Sequence, residues 1–457
     1  MSKETRRAAI WTIASTGVAA IAQLIQISVA ARYLDAHAFG ALAIVNVMMA
    51  IVTGFQDMGL SSYCIHLGQV PQRSHSTLFW ISTVLGGLGA IATFAIATPL
   101  ADFYHIPSLT SLLQLLSINF LLIGLSGQYQ ANYIRVFKAQ LLAQIELAAR
   151  LIGLGAAIYL LVVAGAGPEA VVIGMEVFAV LRLALMVILA DAQWHPHFQF
   201  DRPLARRALS YGSFQAGSQI VNQLRTQADQ LIIGKALGAE MLGIYSISKE
   251  LIGYPMRVIQ PLIARLTLPT YARYQGDPVK LREVFIGGLR KVALICAIIY
   301  GALAVLAPWV VELLYGPKFA VVSALIPMMI MFGVLRPMGL NTGMLAQATG
   351  RTANEFRWNV GISFVTLVPN LLVGYFAPTL ATFAVTLSVI QVAVSLLAYP
   401  FFIKPLDAIG MKAYVRSWFG PALAALAAAL FSLTGWISLP PITILIKSLL
   451  ARLGLHY

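Results

Sequence analysis

Residues 222–247 read NQLRTQADQLIIGKALGAEMLGIYSI. Arg225 and Asp229 are four apart and share one helical face, and Asn222 and Gln227 add amides beside them. Such a polar stripe would be ordinary on a soluble helix. Here it sits in a chain that is 59% hydrophobic and only 11% charged, whereas a soluble domain carries about a quarter charged residues. A chain of 457 residues with so little polar surface cannot cover a globule. The stripe is therefore read as polar content inside a polytopic all-α membrane protein.

Runs of about 20 residues cross a hydrocarbon core of about 30 Å. The spans read from the sequence are 8–31, 38–62, 78–99, 109–130, 140–163, 169–190, 211–234, 240–263, 286–309, 321–345, 356–376, 379–403 and 416–436. A short fourteenth segment, 439–455, holds Lys447 and Arg452 and either spans or lies at the interface. The total is thirteen or fourteen helices. The basic start MSKETRRAAI leads into a long apolar run without a cleavage site and is read as a retained first helix. With the N terminus in the cytoplasm, 22 of the 31 Lys and Arg residues fall on the cytoplasmic side and 3 outside. That bias fixes the orientation and accounts for the net charge of +14 without nucleic acid. The longest internal loops are read as 191–210 and 264–285, and neither is large enough for a catalytic domain. Cys64 and Cys296 form no disulfide framework.

The second half of the opening stretch, KALGAEMLGIYSI (235–247), repeats RYLDAHAFGALAI (32–44). Leu34, Ala36, Gly40 and Ile44 recur as Leu237, Ala239, Gly243 and Ile247, an offset of 203 residues. Six spans separate the copies, so both have the same direction in the membrane. The expected organisation is an N-terminal six-helix lobe (1–190), a cytoplasmic linker (191–210), a C-terminal six-helix lobe (211–403) and additional C-terminal helices (404–457). Parallel repeats of this kind enclose a central cavity.

Ionisable groups within spans are costly and mark function. Arg150, Lys249 and Glu250 lie about 15 Å from the starts of their spans, near the midplane. Arg225, Arg182, Arg257 and Arg336 complete the set of intramembrane cations, and Pro337 permits a kink beside Arg336. Glu146 and Arg150 repeat the four-residue spacing of Arg225 and Asp229, and Glu250 and Arg257 share a face seven apart. The surplus of Arg and Lys predicts a cationic chamber for an anionic cargo. In this reading the cations pair with the cargo's anionic group, and Asn222, Gln227 and Tyr245 are further cargo-binding residues that add hydrogen-bonding groups beside them. Asp229, Glu250 or Glu146 would take up a coupling proton or sodium ion. Arg257 and Arg182 also have a plainer reading as snorkelling side chains. No P-loop, GxSxG elbow, HExxH or metal-ligand cluster is present, so no catalytic residue, metal or cofactor is assigned.

The chain resembles the polysaccharide transporter family, the O-antigen or exopolysaccharide flippases of the multidrug/oligosaccharidyl-lipid/polysaccharide exporter superfamily. The resemblance rests on RYLDAHAFGALAI, GFQDMGLSS (54–62), ADQLIIGKALGAEMLGIYSISKEL (228–251) and LTLPTYARYQ (266–275). It implies two lobes around a cavity and transfer of a polyprenyl-diphosphate-linked oligosaccharide across a bacterial inner membrane. The partners it implies are that lipid-linked substrate, membrane lipid, a polysaccharide polymerase and other assembly proteins. Two other readings stay open. A cation-coupled multidrug antiporter of the same superfamily would need a net acidic site. A membrane glycosyltransferase or O-antigen polymerase would need a sizeable catalytic loop.

Overall fold

The computed structural model describes residues 3–57, 72–136, 138–190, 195–274, 276–348, 352–404 and 409–434. Every described element is helical: α1 (Lys3–Tyr33), α2 (Ala36–Asp57), α3 (Gln72–Tyr104), α4 (Ser108–Arg135), α5 (Ala139–Val162), α6 (Glu169–Ile188), α7 (Arg202–Ala236), α8 (Gly238–Arg273), α9 (Pro278–Tyr315), α10 (Val321–Met328), α11 (Ile330–Ala348), α12 (Thr352–Phe376), α13 (Leu380–Ala398) and α14 (Met411–Leu433). A 3₁₀ turn (Pro317–Phe319) precedes α10, and a π turn (Tyr399–Ile403) extends α13. Within the described residues each of the first thirteen expected spans falls on a helix, with 321–345 divided between α10 and α11. The segment 439–455 and the end of GFQDMGLSS lie outside the described residues. Among the described residues eight helices are long and apolar enough to cross a membrane, nine if the α10–α11 pair is one span bent by 48°. The chain is a multi-pass, all-α membrane protein.

Two loops are shorter than the sequence implied. Helix α7 begins at Arg202, inside the expected linker, because the Asp201 side chain accepts from Leu204 N (3.2 Å) and Pro203 suits the first turn. Asp277, followed by Pro278, caps α9 in the same way, accepting from Lys280 N at 3.1 Å. Helix α8 continues to Arg273, so only residues 274–277 separate it from α9. At 35, 36 and 38 residues, α7, α8 and α9 each run more than about 50 Å, well beyond a core of about 30 Å. The break in the tenth span falls at Met329, after Pro327, while α11 passes through Pro337 as helix.

The described chain forms two compact units, Met1–Gly243 and Ile244–Tyr457. In the first, Leu78, Ile81 and Leu85 of α3 pack with Ala131 of α4 and Ala205, Ala208 and Ala216 of α7. A second cluster joins Phe79 to Tyr129 and Tyr133 of α4, Leu142 and Ile145 of α5 and Met186 of α6. In the second unit the Tyr300 hydroxyl donates to the Ile252 carbonyl (2.8 Å) while its ring lies on Gly333. Ser388 ties α13 to α10 by donating to the Met328 carbonyl at 2.7 Å.

Within the first unit the two copies of the sequence repeat touch. A Cβ on Gly40 would sit 2.6 Å from the Ala239 carbonyl carbon, and one on Gly243 would sit 2.8 Å from that of Ala36 and 2.9 Å from Gly40 N. Ala36 and Ala239, and Gly40 and Gly243, are equivalent at the repeat offset. The contact is therefore reciprocal, as a two-fold axis requires. The absence of side chains lets two helix backbones meet directly.

The described part of the linker, 195–201, is fastened to α3. Gln72 donates to the His195 carbonyl, Trp80 Nε1 donates to the His197 carbonyl (3.0 Å), and the Trp80 ring stacks on Phe198 at 4.8 Å. The backbone N–H groups of His197 and Asp201 donate to Ser76 Oγ (3.1 Å) and Thr77 Oγ1 (2.8 Å). Each such bond contributes about 1 kcal/mol net. Replacing both acceptors (Ser76→Ala, Thr77→Val) is expected to raise the rate of limited proteolysis within 195–201 by roughly tenfold, with no change at other cleavage sites. Unchanged cleavage would mean that the remaining contacts from Gln72, Arg73 and Trp80 are enough to hold the linker.

Candidate functional site

In the first unit three helices bring polar groups together inside apolar surroundings. Arg182 of α6 donates through Nη2 to Gln130 Oε1 of α4 (2.7 Å) and to Glu146 Oε1 of α5 (3.0 Å). The four-residue spacing of Glu146 and Arg150 puts them on one face, yet Glu146 reaches across to Arg182. Arg150 lies with its guanidinium carbon 5.2 Å from the centre of the Phe178 ring. It is half-buried and has no carboxylate within ion-pair distance among the described residues. Gly153 lies against Gly174 of α6, and this close crossing brings Phe178 beside Arg150.

Helix α7 carries the stripe that opened the sequence. Arg225 is half-buried and donates to Asn222 Oδ1 at 2.7 Å. Asp229 is buried, and its Oδ1 accepts from Gln230 N at 2.9 Å. Gln230 Nε2 donates to Gln227 Oε1 at 2.9 Å. Gln219 and Gln223 lie against Gly54 of α2. The stripe thus presents amides, a guanidinium and a carboxylate on one helix, groups suited to sugar hydroxyls and to an anion.

In the second unit Arg257 of α8 donates to Glu250 Oε1 (3.2 Å) and lies over the Tyr254 ring. Their seven-residue spacing is closed by the long arginine. Lys249 is half-buried. Arg336 is exposed and lies 4.9 Å from the Phe332 ring centre. Tyr245 is wholly enclosed by protein, so its hydroxyl is not open to solvent in this conformation. Among the described residues no three His, Cys, Asp or Glu side chains come together as a metal would need.

Glu176 of α6 is missing from the ion-coupling residues named from the sequence. Both of its carboxyl oxygens are buried without a hydrogen-bond partner among the described residues, although Asn119 lies beside it, donating to the Met175 carbonyl at 3.4 Å. Its signal in the sequence is weak, because no cation stands three or four residues away.

A family model described as polysaccharide biosynthesis protein matches residues 29–324. The chain is 43% identical to the amylovoran biosynthesis protein AmsL of Erwinia amylovora, over 79% of this chain and 92% of that protein. It is 26% identical to the lipopolysaccharide biosynthesis protein WzxC of Escherichia coli, over 92% and 85%. Among solved structures it superposes on the lipid II flippase MurJ in an inward closed conformation with a TM-score of 0.69 at 11% identity, covering 97% of this chain and 99% of that one. An inward-facing multidrug-resistance transporter of the MATE family gives a TM-score of 0.64 at 14% identity, covering 94% and 96%. With that model spanning more than half its length, and a relative this similar covered almost end to end, the chain belongs to the polysaccharide biosynthesis protein family.

Proposed function

We propose that the protein moves a polyprenyl-diphosphate-linked oligosaccharide from the cytoplasmic to the periplasmic leaflet of a bacterial inner membrane, by alternating access, for assembly of a surface polysaccharide. The names of its relatives support the pathway, and the likeness to flippase and exporter structures supports a transporter fold over an enzyme. The observation that carries the reading is Arg150. It is a guanidinium about 16 Å along a spanning helix, stacked on Phe178 and lacking an ionic partner among the described residues. A cation held at such depth without a counter-ion is costly unless a cargo anion visits it. In this reading Arg150, Arg182, Arg225, Lys249, Arg257 and Arg336 serve the diphosphate, with charge-assisted bonds that are stronger than neutral ones. Asn222, Gln227 and, once uncovered, Tyr245 serve the glycan. Asp229, Glu250, Glu146 and Glu176 are the carboxylates available for a coupling proton or sodium ion. The Lys and Arg distribution supports a cytoplasmic N terminus. A polymerase working on the outer leaflet is the expected functional partner.

A strain lacking the gene is expected to accumulate the lipid-linked oligosaccharide on the cytoplasmic side, and the wild-type chain to clear it. No accumulation, with surface polymer also normal, would overturn the proposal. The multidrug reading predicts instead a change in resistance to cationic drugs with the polymer unaffected.

A further inference from the structure

The seam between α4 and α6 carries polar groups at successive levels, each placed by a contact. At one end Ser111 Oγ of α4 donates to Glu169 Oε1 of α6 at 3.1 Å. Toward the other end Gln130 accepts from Arg182 at 2.7 Å, and the Tyr133 hydroxyl donates to the Met186 carbonyl at 3.1 Å. Between them stands Glu176, about 10 Å from the start of α6. Both of its carboxyl oxygens are enclosed, and Asn119 of α4 lies beside it. Asn119 turns its Nδ2 to the Met175 carbonyl at 3.4 Å, which leaves its Oδ1 as an acceptor.

No cation balances this carboxyl among the described residues. Helix α6 packs on α4 and α5. Helix α4 has no ionisable side chain from Ser108 to Gln128, and Tyr129, Tyr133 and Arg135 lie ten or more residues past Asn119. On α5, Glu146 is held by Arg182, Arg150 lies on Phe178, and Tyr159 is exposed. Phe178 is two residues from Glu176 and so projects from the opposite side of α6. On α6 itself, Arg182 is bound to Gln130 and Glu146, and Glu169, seven residues back on the same face, is a second carboxylate about 10 Å away. An ionised carboxyl enclosed without a partner is costly, whereas a protonated one becomes a donor. A sodium ion needs several oxygens in place of its water, and transporters supply them from unwound helices. Helices α4 and α6 are unbroken at this level and keep their carbonyls for their own backbone bonds.

We propose that Glu176 is the proton-binding carboxyl of the transport cycle, and that in this conformation it is protonated and donates toward Asn119 Oδ1. Its role in a cycle rests on the transporter reading above; its proton does not. One proton from water adds to the carboxylate before α4 and α6 close over it, and returns to water when the seam opens. No other bond changes. The other candidate carboxylates each have a donor already: Asp229 accepts from Gln230 N, Glu146 from Arg182 and Glu250 from Arg257.

The test uses the purified full chain in neutral detergent and the same chain in spheroplasts. Infrared difference spectra between mildly acidic and alkaline buffer are expected to show a protonated-carboxyl C=O band that Glu176→Gln loses and that Glu146→Gln and Glu250→Gln keep. Asn119→Ala should shift that band to higher frequency, the mark of a lost hydrogen bond. These spectra need no cargo, so they hold whether or not the chain is a flippase. In spheroplasts, the wild-type chain should expose lipid-linked oligosaccharide to an impermeant glycan-oxidising reagent more slowly once a protonophore is added. Replacing sodium by potassium should change nothing. Glu176→Gln, shown to be folded by an unchanged unfolding midpoint, should be slow and should lose the protonophore response. A band that survives in Glu176→Gln would overturn the proton site. A normal rate and protonophore response in Glu176→Gln, or a sodium requirement that this variant removes, would overturn its part in coupling. A wild-type chain that exposes no oligosaccharide would overturn the flippase reading instead, while the band still decides whether Glu176 holds a proton.

Discussion

Replacing Gly243 or Gly40 by alanine is expected to abolish polymer export and lower the unfolding midpoint of the purified protein. The added methyl at either position meets backbone: the carbonyl carbon of Ala36 lies 2.8 Å from it at Gly243, and that of Ala239 lies 2.6 Å from it at Gly40. A rotamer change cannot relieve a clash with main chain, so the helices must separate. Overpacking of this kind costs about 1–3 kcal/mol or more. The reciprocity of the contact predicts similar effects at the two positions. Gly87, Gly217 and Gly253 supply the contrast. Each is helical, with nothing within 4 Å of a Cβ, so alanine there should be neutral or stabilising by up to about 1 kcal/mol. Complementation of a deletion strain, scored as surface polymer, separates the two sets. If Gly243→Ala and Gly87→Ala exported equally well, the crossing would have no part in the working cycle.

The second large effect is expected at the cations. Arg150→Ala, Arg225→Ala and Lys249→Ala should each reduce polymer export by at least about tenfold at normal protein levels, since a charge-assisted contact contributes roughly 1.5–3 kcal/mol. Arg225→Lys keeps the charge but loses the planar fork that bonds Asn222, and should keep partial activity. Arg182→Ala is expected to differ in kind. Arg182 holds Gln130 and Glu146 together, so its loss should lower protein levels as well as export. Full export by all three alanine variants would leave the cargo site without its cations.

The spans were legible because long apolar runs have few alternatives in this composition. The repeat was legible from four matched residues, and in three dimensions the equivalent Ala and Gly pairs meet. What the sequence did not disclose was mostly contact across helices. Glu146 and Arg150 look like partners at four residues' spacing, but the α5–α6 packing delivers Glu146 to Arg182. Tyr245 sits among polar neighbours in sequence and is nonetheless enclosed. Glu176 is legible as a carboxylate within a span, but only the packing of α4 against α6 brings Asn119 beside it. Residues 202–210, 264–273 and 278–285 were read as loop because they are polar or basic. A helix satisfies its own backbone hydrogen bonds, so α7 and α8 continue past the apolar zone once Asp201 caps one and nothing stops the other.

The most direct measurement is the fraction of lipid-linked oligosaccharide open to a membrane-impermeant glycan-oxidising reagent in intact spheroplasts. The polymerase is inactivated so that the intermediate persists. With wild-type protein most of the lipid-linked pool should be oxidised, and with Arg150→Ala at equal abundance most should be protected until the cells are lysed. Equal oxidation in the two strains, or in a strain lacking the protein altogether, would contradict a diphosphate-gripping flippase.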